Sequence, residues 1–83
     1  MDKQEQILTI LQEECAEVIQ AISKVRRFGL DGRKAQLEQE IADMLVMVQL
    51  LYKNNILEFD ELRMTTRMAV KIDKLKHYSN IYD

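Results

Sequence analysis

Between Met1 and Asp83 there is no proline, and both glycines, Gly29 and Gly32, lie within four residues of each other. Few features narrow the fold of a short chain more. Glycine and proline are the strongest local breakers of regular structure, and this chain allows itself one clear break, at Phe28-Gly29-Leu30-Asp31-Gly32. Asn54-Asn55 is the only other turn signal before the C-terminus. Three long segments result. Apolar residues recur at helical steps of three and four in each, and strand-type alternation is absent.

In the first segment the stripe is Leu8, Leu11, Cys15, Val18, Ile22 and Val25. In the second it is Leu37, Ile41, Met44, Val48 and Leu51, widened by Leu45 and Tyr52. The third carries a weaker stripe of Leu62, Met68, Ala69, Ile72 and Leu75. The expectation is an all-α chain, with helices near Lys3 to Arg27, Arg33 to Lys53 and Glu58 to Tyr78. Short connections predict antiparallel neighbours in a short helical bundle. With 83 residues, a single domain over 1–83 is expected. The second helix also carries Ala42, Val46, Met47 and Leu50. A helix apolar almost all round must be covered almost all round, and two partners from the same chain cannot do that. A homo-oligomer, a dimer or a dimer-of-dimers tetramer, is therefore expected to complete the bundle.

Charge and cysteine content remove several classes. The net charge of −2 lacks the basic excess of a nucleic-acid binder. The longest strongly apolar stretch, Met44 to Tyr52, is too short to cross a bilayer. Met1-Asp2-Lys3-Gln4-Glu5 lacks the basic-then-apolar form of a secretory signal, so a cytoplasmic protein is expected. Cys15 is the sole cysteine, which excludes a disulfide framework within the chain. It sits in an apolar stripe and reads as packing. His77 is the only histidine, which excludes His-rich zinc sites and Glu-x-x-His di-iron bundles.

The chemistry rests on carboxylates. Glu14 and Glu17 are three apart in the first helix, as are Glu40 and Asp43 in the second, so the members of each pair are surface neighbours. Asp43 is the only charged residue from Ile41 to Tyr52. Any one of these could be an ordinary solvated glutamate or aspartate, and Glu40 could pair with Lys34 or Arg33. Two acidic pairs on adjacent antiparallel helices are a different matter. They repel unless a proton or cation lies between them, and hard oxygen donors suit Mg²⁺ or Mn²⁺.

Glu13-Glu14-x-x-Glu17 followed by Glu40-x-x-Asp43 resembles the EExxE…ExxD signature of the all-α nucleotide pyrophosphohydrolases. That superfamily includes MazG proteins, dimeric dUTP pyrophosphatases and phosphoribosyl-ATP pyrophosphohydrolases. The surrounding text also looks like MazG, and the resemblance covers about Ile7 to Lys76. It implies Mg²⁺, with Mn²⁺ as a substitute, on Glu14, Glu17, Glu40 and Asp43. It implies Glu13 or Glu14 as the base for an attacking water, and a nucleoside triphosphate substrate. It also implies that a Lys-rich stretch of the third helix, here Lys71 and Lys74, contacts phosphates, although His77 stands where many relatives have Arg. Lys24 and Arg27 are a second basic source, which could equally complement the helix dipole. Arg63, Arg67, Lys71 and Lys74 form a basic ridge that could also be a solvated face. Two rival readings keep the fold. One is a non-catalytic oligomeric interaction module, in which the carboxylates pair with that ridge. The other is a nucleotide-sensing protein that binds but hydrolyses poorly.

Overall fold

The computed structural model covers all 83 residues and contains three helices and no strand: α1 (Lys3–Phe28), α2 (Lys34–Lys53) and α3 (Glu61–Tyr78). Local chemistry sets each boundary. The Asp2 carboxylate accepts from the Glu5 amide at 2.8 Å and caps α1, satisfying one of the amides that a helix start leaves without a partner. At the other end Gly29 adopts φ 92, a backbone conformation open mainly to glycine, and its amide bonds Val25 O at 2.8 Å. The Arg33 guanidinium then donates to Phe28 O at 3.1 Å and ties the turn together. It also lies 5.0 Å from the centroid of the Phe28 ring, as does that of Arg27.

The second break is ordered as well. Asn54 Nδ2 donates to Leu50 O at 2.9 Å, Asn55 takes φ 58, and the amides of Ile56 and Leu57 both bond Leu51 O. α3 starts at Glu61 rather than near Glu58. The reason is Asp60, whose carboxylate accepts from the Arg63 amide at 2.9 Å and caps the helix.

Only α1 and α2 pack against each other, as an antiparallel hairpin; α3 approaches neither. The inward faces are Ile7, Leu11, Glu14, Val18, Ala21 and Val25 on α1, and Leu37, Glu40, Met44, Met47 and Leu51 on α2. Ile7, Met47 and Leu51 form the small core, with Leu11, Leu50 and Ile56 against it. The phase on α1 differs from the stripe expected from periodicity. Leu11, Val18 and Val25 do face α2, but Leu8 and Ile22 stay exposed. On α2, Ile41, Leu45 and Val46 are likewise uncovered.

Helical phase gives the hairpin two distinct sides. In an antiparallel pair, advancing one residue from an inward position turns both helices to the same side. That step leads from Ile7, Glu14 and Ala21 to Leu8, Cys15 and Ile22, and from Glu40, Met44 and Leu51 to Ile41, Leu45 and Tyr52. This side is largely apolar, although Gln12, Arg26 and Glu38 stand on it too. One residue before the inward positions lie Ile10, Glu13, Glu17 and Lys24 on α1, and Asp43 and Val46 on α2. This opposite side carries the acidic motifs.

The chain alone is far from compact. Its radius of gyration is 15.7 Å, against about 12 Å for a compact domain of this length. Its accessible surface is 7041 Å², whereas a compact chain of 9.8 kDa exposes about 5,200 Å².

Candidate metal centre

Three carboxylates, those of Glu14, Glu40 and Asp43, meet where the middle of α1 crosses the first half of α2, with Glu17 beside them. Glu40 is the most enclosed, at 7% exposure, and is the one buried charged residue of the chain. Its inward position in the 37-40-44-47-51 series puts it there. Glu14 occupies the matching inward position on α1 and is half-buried. One oxygen from each of Glu14, Glu40 and Asp43 lies within 4.8 Å of the others. Glu17 stands beside the group and adds its charge to that of Glu14 and Glu40.

Hydrogen bonding leaves this cluster unfinished. Gln36 Nε2 donates to Glu40 Oε1, from one helical turn earlier. Glu40 Oε2 and Glu14 Oε2 are both buried with no donor of their own. Such orphaned oxygens are costly unless a proton or a cation satisfies them. No lysine or arginine makes an ion pair with any of the four; the one close contact of an acidic with a basic side chain, Asp73 with His77, is on α3.

The titration behaviour follows. Glu14 is raised above its ordinary value, first by desolvation and then by the charges of Glu17, Asp43 and Glu13. Glu40 is raised chiefly by its hydrogen bond with Glu17, then by desolvation and by the charges of Glu17, Asp43 and Glu14.

A divalent cation fits these residues. The donors are all hard oxygens, they come from both helices, and two of them lack any other partner. The arrangement is accessible too, because Glu13, Glu17 and Asp43 are exposed on one side of the hairpin.

The remaining expected site residues are placed less uniformly. Glu13 lies on the carboxylate side, beside Glu14. Lys24 is on that same side, two helical turns beyond Glu17, roughly 10 Å along the axis. Arg27 lies against Phe28 near the turn. Lys71 and Lys74 are exposed on α3, which packs on no part of the hairpin, so one chain does not bring them to its own carboxylates. Gln36 was not anticipated, although a glutamine four residues before a glutamate on one helix face is a recognisable hydrogen-bonding pair.

Comparison with known proteins decides the family. The sequence model of the MazG nucleotide pyrophosphohydrolase domain matches residues 2–78. The chain belongs to this family. It is therefore a hydrolase acting on nucleoside triphosphates, built on the all-α MazG fold. No curated protein and no solved structure matches it. No helix is long and apolar enough to cross a membrane. The match spans α1, α2 and α3, so the third helix is part of the MazG domain although it has no partner within one chain.

Proposed function

We propose that this MazG-family chain hydrolyses a nucleoside triphosphate to the monophosphate and pyrophosphate, as a cytoplasmic homo-oligomer that depends on Mg²⁺ or Mn²⁺. The observation that carries the reading is the convergence of Glu14, Glu40 and Asp43 oxygens, two of them buried without a partner. Glu14, Glu17, Glu40 and Asp43 would hold the cation. Bound there, it would offset phosphate charge and acidify a water.

The chain's own groups account for the rest. Glu13, exposed beside the cluster, accepts a proton from the attacking water; Glu14 is the alternative base. The water oxygen forms a bond to the α-phosphorus, and the bond from that phosphorus to the α–β bridging oxygen breaks. The pyrophosphate leaves with the electron pair of that bond. Lys24, on the same side of α1, is placed to meet its charge. Arg27, Lys71 and Lys74 are further phosphate contacts, the last two from outside the protomer. Covering the apolar side of the hairpin with a second copy gives the oligomer, a dimer or a dimer-of-dimers tetramer.

The test is an incubation with a panel of common and modified nucleoside triphosphates, with and without Mg²⁺ or Mn²⁺, resolving all products. Glu17→Gln and Asp43→Asn run alongside. Metal-dependent release of monophosphate and pyrophosphate, lost in both variants, is the expected result. Release of inorganic phosphate would place the attack at the γ-phosphorus and overturn the reaction proposed.

A further inference from the structure

We propose that Gln36 sets the cation preference of the carboxylate cluster: by occupying one oxygen of Glu40 it holds that ligand to a single free oxygen, which favours Mg²⁺ over Ca²⁺. The inference rests on the reading above that these carboxylates hold a divalent cation. It adds a positioning residue that acts through Glu40 and does not touch the ion.

The two oxygens of Glu40 are in different situations. Gln36 Nε2 donates to Oε1, whereas Oε2 is buried and has no donor. Chemistry fixes the orientation of the amide. With a cation bound, Glu40 is ionised and can only accept, so Gln36 must present its NH₂ group. One oxygen of Glu40 is then taken, and one is left for a metal.

A glutamine four residues before a glutamate is a familiar pair on a helix surface. Between two solvated side chains it would mean little. Here the partners differ. Gln36 is exposed, while Glu40 is the one buried charged side chain of the chain. Water has little access to Glu40, so the amide is not one donor among many.

The amide is also neutral. A lysine or arginine could reach the same oxygen, but it would set a positive charge beside the cation and repel it. The basic residues nearest in the sequence stay away. Lys34 and Arg33 make no ion pair with Glu40, and the Arg33 guanidinium is turned to Phe28 O. A neutral donor satisfies the spare oxygen without competing for the site.

The number of oxygens offered separates cations. Mg²⁺ demands a near-octahedral set at about 2.0–2.1 Å, whereas Ca²⁺ takes about six to eight oxygens at about 2.3–2.6 Å and accepts both oxygens of one carboxylate. The two oxygens of one carboxylate are too close together to fill two corners of an octahedron around the smaller ion. Glu40 held to one oxygen therefore suits Mg²⁺. Glu40 released from Gln36 can turn both oxygens to Ca²⁺.

The test needs neither nucleotide nor turnover. Mn²⁺ is the probe: electron paramagnetic resonance reads its free fraction over metal-stripped protein, and displacement by Mg²⁺ or Ca²⁺ gives both affinities. Gln36→Met keeps the length of the side chain and removes the donor. Its Mg²⁺ affinity should fall about tenfold or more, the usual effect of removing a group hydrogen-bonded to a metal ligand. Its Ca²⁺ affinity should hold or rise, so the ratio moves at least about tenfold towards Ca²⁺. Gln36→Lys keeps a donor and adds a charge; both affinities should fall and the parent's ratio should be retained. Position 36 is exposed and both replacements are good helix formers, so helicity by circular dichroism should match the parent's.

Equal losses for both cations in Gln36→Met would mark a merely structural contribution and overturn the proposal. So would unchanged affinities, or a Gln36→Lys ratio shifted as far as that of Gln36→Met. A parent that binds no Mn²⁺ would bring down the metal centre and this inference with it. A parent that binds Mn²⁺ while Gln36→Met keeps its ratio would bring down this inference alone.

Discussion

Carboxylates gathered from two helices should make the protein respond strongly to a divalent cation. The perturbation is the addition of Mg²⁺ to metal-stripped protein, compared between the parent and Asp43→Asn. A ligand that binds only the folded state stabilises it by about 2.7 kcal/mol at a hundredfold excess over its dissociation constant. For a domain of this size each kcal/mol moves the melting temperature by about 4–8 °C. The parent should therefore gain about 11–22 °C under saturating Mg²⁺. The unfolded chain offers no competing site, because Glu14 and Glu40 come together only when α1 and α2 pair. Asp43→Asn should behave in the opposite sense. It removes one repelling charge from beside Glu14 and Glu40, so the metal-free variant should melt no lower than the parent. It also removes a hard donor, so its gain with Mg²⁺ should shrink to a small fraction. Differential scanning fluorimetry at fixed protein concentration and ionic strength reads both effects. An equal gain in parent and variant would refute the assignment of these carboxylates, and so would a parent gain reproduced by the same ionic strength of NaCl.

The pH dependence of stability should change sign with the cation. Glu14 and Glu40 have raised values in the fold, so their contribution is fully present below the ordinary carboxylate value and is lost as pH rises through the raised values. In EDTA the melting temperature should thus climb as pH falls through the raised values, whereas the increment given by Mg²⁺ should shrink in the same direction as protons compete for the oxygens; a flat EDTA profile would contradict the raised values. Met47→Ala should cost about 2–3 kcal/mol in urea unfolding, the lower part of the range for such truncations, because a core of three buried residues can partly collapse. Asp60→Ala should remove the α3 cap at about 1 kcal/mol, seen as roughly fivefold faster hydrogen exchange at the Arg63 amide; unchanged exchange there would refute the capping role.

Much of this was legible in the residues, and the failures have physical causes. The two breaks could be read because glycine and paired asparagines supply the left-handed backbone they need, at Gly29, Gly32 and Asn55. The acidic group could be read because i, i+3 spacing places both pairs on neighbouring helix faces. The phase of α1 could not. Its inward stripe is Ile7, Leu11, Glu14, Val18, Ala21 and Val25, and a pattern search prefers Leu8, Cys15 and Ile22 to a series interrupted by glutamate. Both series are apolar, and both are used, one against α2 and one on the open side. The start of α3 was misjudged because Asp60 was passed over as a cap. The position of α3 was not readable, since the turn sets it, through Asn54, the Ile56 and Leu57 amides on Leu51 O and Phe59 against Tyr52, and not an apolar face of the helix itself.

The same displaced glutamate explains why so small a chain is built so openly. Glu14 and Glu40 occupy the middle of the only seam between packed helices, where a leucine on each side would have joined the Ile7–Met47–Leu51 cluster to Ala21 and made one continuous core. Placing charge there divides the core and leaves the hairpin with little buried apolar area of its own. On the function proposed above, a cation between the carboxylates and a second copy on the apolar side would offset that. The apolar face of Leu8, Cys15, Ile22, Ile41 and Leu45 is then the counterpart of the acidic one. Filling the seam by Glu14→Leu with Glu40→Leu should loosen both dependencies together. The variant's melting temperature should rise in EDTA, lose its response to Mg²⁺ and depend less on protein concentration than the parent's. A double variant that melts below the metal-free parent would show that the carboxylates hold the seam by their own contacts, and that the divided core is not the reason the chain stays open.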